Sequence, residues 1–211
     1  EAVAINPELA ALRTQLAFGL LAQGNTGEAI TELQTAVDLG QDLVQADVLL
    51  VLSHLRNKEI DEALEAGQAL EKKAPDNPVA FNLTGLAYLA AGQRDKAEAR
   101  FLQALSIDPK FVTAEINLAR LELEANHPDK AQEHFQSVLS KAPQNMNALI
   151  GMAMLAERDN DRPGMYDWLA KAQQRNPKSS KPGILLVQSH LKDGDTLKAL
   201  QAARELAATF P

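Results

Sequence analysis

Cysteine is absent from the 211 residues, which removes disulfides, thiol nucleophiles and thiolate metal sites together. It leaves the redox compartment open, since a cysteine-free chain is at home in either. Aromatic residues make up only 4%, so there is little from which to build exposed ring platforms for carbohydrate. No run of Lys or Arg exceeds two, and the net charge is −7; the electrostatic footprint of a nucleic-acid or anionic-membrane partner is missing. No apolar run approaches the ~18 residues of a membrane-spanning helix, and no charged-then-apolar leader opens the chain. The apolar content is nonetheless ordinary at 45%, and small residues take the place of the missing rings. That composition suits helices packed closely against one another.

Proline is what punctuates the chain. A step of 34 residues from Pro109 lands on Pro75, Pro143, Pro177 and Pro211, and backwards on Gln41 and Pro7. With ten prolines in all, chance does not account for six of seven positions being proline. The same step from Ala97 meets Ala29, Ala63, Ala131, Met165 and Ala199; from Gly92 it meets Gly24, Lys58, Asn126, Asn160 and Gly194. Glycine and asparagine tolerate the left-handed backbone that ends a helix. Alanine fits where two helix axes cross, and proline stops the second helix because it cannot extend the hydrogen-bond ladder. Helix, tight turn, helix, stop, repeated at a fixed interval, predicts an all-α solenoid of antiparallel helix pairs.

The best-preserved copy is PVAFNLTGLAYLAAGQRDKAEARFLQALSIDPKF, residues 78–111. Phe81, Gly85, Tyr88, Gly92, Ala97, Phe101, Ala104 and Pro109 occur in the order and spacing of the tetratricopeptide repeat, which this stretch resembles. The resemblance implies a right-handed superhelix of about six units: 10–43, 44–77, 78–111, 112–145, 146–179 and 180–211. Residues 1–9 then read as the end of a preceding helix, and the whole as one solenoid cut from a longer array. Gln41, in place of proline, leaves the exit of the first unit less sharply fixed. Met165, in place of the crossing alanine, marks a site of local repacking.

Catalysis finds little support. His54 and His190 share a repeat position but lie four units apart, His127 falls in a turn, and His134 faces outward beside Glu133; no pair has HExxH spacing. All four read as structural or solvated. Asp159–Gly164 imitates the start of a calcium loop, yet Ala170 stands where a bidentate glutamate is required. Asn82-Leu83-Thr84 matches a glycosylation acceptor but lies inside a helix. No phosphate loop, nucleophile elbow or paired carboxylates appear, so no catalytic residue, cofactor or metal is expected.

The repeat family places ligand contacts on first-helix residues lining the concave groove. Carried onto this chain, they are Gln15 and Phe18, Leu49 and Leu52, and Asn82 and Leu86. The later units add Asn117 and Arg120, Asn147 and Met154, and Gln188. The amides can hydrogen-bond an extended backbone. Many of the leucines are expected to pack on neighbouring helices instead, whereas Asn117 and Arg120 are expected at the surface. The lysine–asparagine pairing of carboxylate-clamp repeats is missing.

A finer resemblance concerns WLAKAQQRNPKSSKPGILLVQSHLKDGDTLKALQAARELAATFP, the stretch from Trp168 to Pro211. It looks like the repeat lipoproteins of bacterial exopolysaccharide production and PEP-CTERM protein sorting. That implies a lipid-anchored parent at the outer membrane with its repeats in the periplasm. The expected function is a protein-interaction scaffold holding a partner peptide or helix. The alternatives are a spacer that self-associates into a homo-oligomer and, less favoured, a carbohydrate-binding protein.

The register makes a direct prediction. Ala97→Trp is expected to destabilise the chain by roughly 1–3 kcal/mol through overpacking, and Lys110→Ala to leave it unchanged. Thermal melts of the two variants check this, and equal midpoints would refute the register.

Overall fold

The structure, a computed structural model, describes residues 7–40 and 44–210. Twelve helices and no strand occur among them. They come as six antiparallel pairs: α1 (Pro7–Ala22) with α2 (Thr26–Leu39), α3 (Val44–Asn57) with α4 (Ile60–Lys73), and α5 (Pro78–Ala90) with α6 (Arg94–Ile107). Then follow α7 (Val112–Glu124) with α8 (Pro128–Lys141), α9 (Met146–Arg158) with α10 (Arg162–Arg175), and α11 (Lys181–Lys192) with α12 (Thr196–Thr209). Packing divides the chain into two compact units, Glu1–Ala114 and Glu115–Pro211.

One turn recurs in every pair. Gly24, Lys58, Gly92, Asn126, Asn160 and Gly194 all have positive φ, between 59° and 85°. The N–H of the next residue donates back to the carbonyl five residues earlier: Asn25 to Leu20, Glu59 to His54, Gln93 to Tyr88, His127 to Glu122, Asp161 to Ala156 and Asp195 to His190, all at 2.8–2.9 Å. This is the Schellman closure, which satisfies an orphan carbonyl of the first helix while reversing the chain. Five of the six positions hold the glycine or asparagine expected to tolerate it. Lys58 adopts the same conformation without being either.

Second helices begin on side-chain caps in two pairs: Asp161 accepts from the Gly164 N–H at 3.0 Å and Asp195 from the Lys198 N–H at 3.1 Å. First helices use asparagine, with Asn77 accepting from Val79 and Asn145 from Ala148. Each cap relieves a donor left unpaired at a helix start.

Where the helices of a pair cross, Ala29, Ala63, Ala97, Ala131 and Ala199 are buried. Met165 is buried too and packs with Ala153 and Leu169; a flexible side chain is accommodated where the other pairs place a methyl group. Close approach continues between pairs. A Cβ on Gly67 of α4 would stand 2.8 Å from Thr84 Oγ1 of α5, and one on Gly151 of α9 would run into the Phe135 ring of α8. In the first unit Leu33 and Ala36 of α2 pack with Ala46 and Leu50 of α3, and Leu70 of α4 packs with Ala80 and Leu83 of α5. In the second, Ala172 of α10 shares a cluster with Leu149 and Ile150 of α9.

Two buried carboxylates tie the ends of pairs together. Asp47 at the start of α3 meets Lys73 at the end of α4 at 2.6 Å, and Glu115 in α7 meets Lys141 at the end of α8 at the same distance. Burial of a carboxylate is tolerated because it is paired. In α3, Asp47 is the one acid, and it is carried inward.

One boundary is corrected. Pro7, Glu8 and Leu9 belong to α1 and do not finish a preceding helix; proline is at home in a first helical turn, where its missing N–H has no intrahelical partner to lose. Residues 1–6, Gln41 and Pro211 lie outside the described residues.

Lys58 holds φ 61°, a conformation that costs a residue with a Cβ about 1 kcal/mol. Lys58→Gly is expected to raise stability by roughly 0.5–1 kcal/mol. Urea denaturation measures it, and an unchanged or lowered midpoint would contradict this account.

Candidate functional site

In the second unit the first helices of successive pairs enclose a groove of about 410 Å³. Its wall from α7 is Ile116, Arg120, Leu123 and Glu124; from α9 come Asn147, Ile150, Gly151 and Met154; Lys181 closes it from α11, and the Phe135 ring forms part of the floor. The Phe135 part of the floor depends on Gly151. With no Cβ there, the Phe135 ring lies directly on the α9 backbone, and a methyl group could not be inserted without moving it.

The lining is mixed in a definite way. Ile116 and Ile150 are nearly closed off beneath, while Met154 is 55% exposed. Arg120, Asn147 and Lys181 are exposed around them. Among the described residues neither the Arg120 guanidinium nor the Lys181 ammonium makes an ion pair. In a chain of net charge −7, two unpaired cations beside an apolar floor are set to meet a segment that is both apolar and acidic.

Of the expected contact residues, Arg120, Asn147 and Met154 come together in this groove. Gln15 and Phe18 meet in a second hollow, in the first unit, with Ala11, Thr14 and Gln45. Leu49 and Leu86 are half-buried and pack against the clusters of their own unit, while Leu52 is exposed. Gln188 faces a different hollow, between α11 and α12. Asn82 is buried at 3% exposure and Asn117 at 8%. The expectation that Asn117 is a surface contact is therefore corrected: residues 114–119 are buried without a break, so this part of α7 has no solvent face to offer an amide. Leu123, Glu124, Phe135 and Gly151 lie outside the expected set. Leu123 and Glu124 sit one turn beyond Arg120, a spacing that places them on its face.

Three of the four histidines have structural partners. His54 Nδ1 lies 2.7 Å from Glu59 Oε2, and His127 Nδ1 lies 2.8 Å from Glu122 Oε2. These two turns occupy the same repeat position with the residues exchanged, histidine preceding glutamate in one and following it in the other. His190 stacks on Tyr166 with centroids 4.3 Å apart. Tyr166 donates to Asp193 at 2.9 Å, and burial, reinforced by that carboxylate, pushes its phenol up to about 12. It stays protonated and serves as a donor. Of the imitation calcium loop, Asp161 caps α10, and no three His, Asp or Glu side chains converge on a metal-sized site among the described residues. No helix among them is long and apolar enough to cross a membrane.

Family models described as tetratricopeptide repeat match residues 15–78 and 88–155, together more than half of the sequence. No curated protein matches it. Among solved structures, PilF of Pseudomonas aeruginosa is 20% identical with a TM-score of 0.73, over 97% of this chain and 93% of that one. PilW, described as a widely conserved type IV pilus biogenesis factor, is 19% identical with a TM-score of 0.76, over 98% and 96%. A thermophilic repeat protein of Thermus thermophilus is 18% identical with a TM-score of 0.74, over 86% and 99%. At these identities the likeness is one of fold.

The Glu59 carboxylate accepts hydrogen bonds from His54 and, second, from Asn57, which hold it below its ordinary value of 4.5. A lowered folded-state value contributes stability above the ordinary carboxylate range, lost as pH falls through the lowered value. Glu59→Gln is therefore expected to lower the melting temperature near neutrality, with the gap to the parent closing in acid. Melts from neutral to acidic pH test this; a constant gap would show that the carboxylate's charge is not what stabilises the turn.

Proposed function

Since the chain belongs to the tetratricopeptide-repeat family, we propose that it is a non-catalytic scaffold that holds a segment of a partner protein in the groove between α7, α9 and α11. The observation that carries this reading is the combination there of an apolar floor, Ile116, Ile150 and Met154, with the unpaired cations Arg120 and Lys181. Asp47, Glu115 and Glu122, the buried acids, have other partners, and among the described residues these two cations make no ion pair. The segment that fits is short, with an apolar side chain for the floor and a carboxylate for the rim. Asn147 supplies an amide that can bond its backbone in either direction.

The finer setting we infer is the bacterial envelope. The Trp168–Pro211 phrase, read as that of exopolysaccharide and PEP-CTERM repeat lipoproteins, supports a periplasmic scaffold tethered to the outer membrane through its parent chain. A second setting, assembly of type IV pili, draws on the likeness to PilF and PilW along almost the whole of both chains. Both settings use the same groove chemistry and differ in the partner.

Immobilised chain and an Arg120→Ala, Met154→Ala double variant, each exposed to envelope extract of the source bacterium, discriminate these readings by mass spectrometry. A protein recovered by the parent and reduced about tenfold or more by the variant, as befits loss of two central contacts, is the expected result. Its identity separates a polysaccharide or sorting component from a pilus component. Equal recovery by both would overturn the groove as the binding site.

A further inference from the structure

Four residues around one hollow of the first unit have counterparts a repeat further on: Gln34, His54, Glu62 and Ala66 become Gln68, Tyr88, Lys96 and Arg100. In the third pair the counterparts close on one another. Gln68 donates to Tyr88 Oη at 3.1 Å. The Lys96 ammonium lies 5.4 Å from the centre of the Tyr88 ring and the Arg100 guanidinium 5.9 Å from it. In the fourth pair Glu122 holds the position of Tyr88, and Lys130, at the position of Lys96, stands 3.7 Å from its carboxylate. Both pairs thus set a buried polar or aromatic side chain against a cation that the chain itself supplies.

The second pair keeps the ring and removes the cations. His54 is 8% exposed, as Tyr88 is, but Glu62 stands in place of Lys96 and Ala66 in place of Arg100. Where the side chain is cut back at Ala66 there is a hollow of about 280 Å³, whose lining includes Gln34, Asp47, His54, Glu62 and Glu65. No lysine or arginine lines it among the described residues. Asp47 is already paired with Lys73 at 2.6 Å. Glu62 and Glu65 are exposed and make no ion pair among the described residues, so theirs is the charge left to be met.

The imidazole is a second and independent sign of a missing cation. His54 Nδ1 lies 2.7 Å from the Glu59 carboxylate, while Nε2 has no partner among the described residues. With Nδ1–H given to the carboxylate, Nε2 of the neutral ring is an acceptor, and acceptors on buried side chains are ordinarily bonded.

We propose that this hollow receives an arginine side chain of a partner protein, which takes beside His54 the place that Arg100 takes beside Tyr88. A guanidinium has five N–H donors in a fixed fork, enough to answer Nε2 and the two glutamates together. It is also less strongly hydrated than an ammonium, so a half-closed hollow admits it at smaller cost. The site uses no residue of the α7–α9–α11 groove and stands independently of what binds there.

Proton spectra of the full chain test this, because His54→Gln identifies one imidazole signal among those of the four histidines. A capped Gly-Arg-Gly peptide is titrated to about 20 mM, well above the ~1 mM Kd of a single side chain. Capped Gly-citrulline-Gly, close in shape but uncharged, is run beside it. The arginine peptide is expected to move the His54 signal along a saturating curve, and the citrulline peptide to leave it in place. Glu62→Lys, at an exposed position, and Ala66→Arg, which installs the guanidinium of the third pair, are each expected to weaken binding about tenfold. Circular dichroism melts verify that both variants are folded. A His54 signal that stays fixed throughout the arginine titration would overturn the proposal. So would a citrulline peptide that moves it equally, or a Glu62→Lys chain that binds the arginine peptide as the parent does.

Discussion

Everything in this chain depends on a reversal of direction made at one residue. After each first helix a single residue takes positive φ, and the following N–H reaches back five residues to close the helix end. That bond does two things at once: it satisfies a carbonyl that would otherwise be orphaned, and it fixes the angle at which the second helix departs. With the same closure made six times, the crossing point falls at one repeat position, where alanine or an adaptable methionine is buried. The reversal that pairs two helices is thus encoded locally, in the turn between them. Packing between pairs then adds stability from nearest neighbours alone.

Polar interactions are laid over this frame and do not define it. The buried pairs Asp47–Lys73 and Glu115–Lys141 fall two repeats apart, yet the corresponding places in the third pair, Phe81 and Ile107, are both apolar. In the fifth pair Leu149 is buried, and Arg175 turns away to donate to the Pro143 carbonyl at 2.8 Å. A repeat position tolerates an ion pair or apolar packing as long as no charge is left buried alone. Glu71 and Arg100 reach across from α4 to α6 in the same manner. Against that background Arg120 and Lys181 stand out, because they border an apolar floor and make no ion pair among the described residues.

How much of this could be read beforehand follows from which physics is local. The turn residues were legible because positive φ selects glycine and asparagine; Lys58 was legible only through the period, since nothing in its own chemistry asks for that conformation. The crossing alanines were legible for the same reason. The site was less so. Asn117 looked like a surface residue because amides usually are, but whether a helix is enclosed on all sides is set by its neighbours and leaves no mark in its own sequence. Gly151 is one small residue among several in an apolar helix by sequence, although it is what lets the Phe135 ring lie against the backbone. The separation of Gln188 from Arg120, Asn147 and Met154 likewise came from packing: α11 turns that residue towards α12 while Lys181 reaches the groove in its stead.

The exchanged turns carry a consequence for how such a protein could have been assembled. At one repeat position the second pair holds His54 facing Glu59, and the fourth holds Glu122 facing His127. Each turn is complementary within itself, and each is the mirror of the other. A genetic crossover falling inside a hairpin, joining α3 to α8, would bring two histidines together, and the reciprocal product would bring together two glutamates. A crossover between hairpins would leave both couples intact. For the second and fourth pairs the exchangeable module is therefore the whole hairpin, because only a cut between hairpins keeps each histidine with its own glutamate.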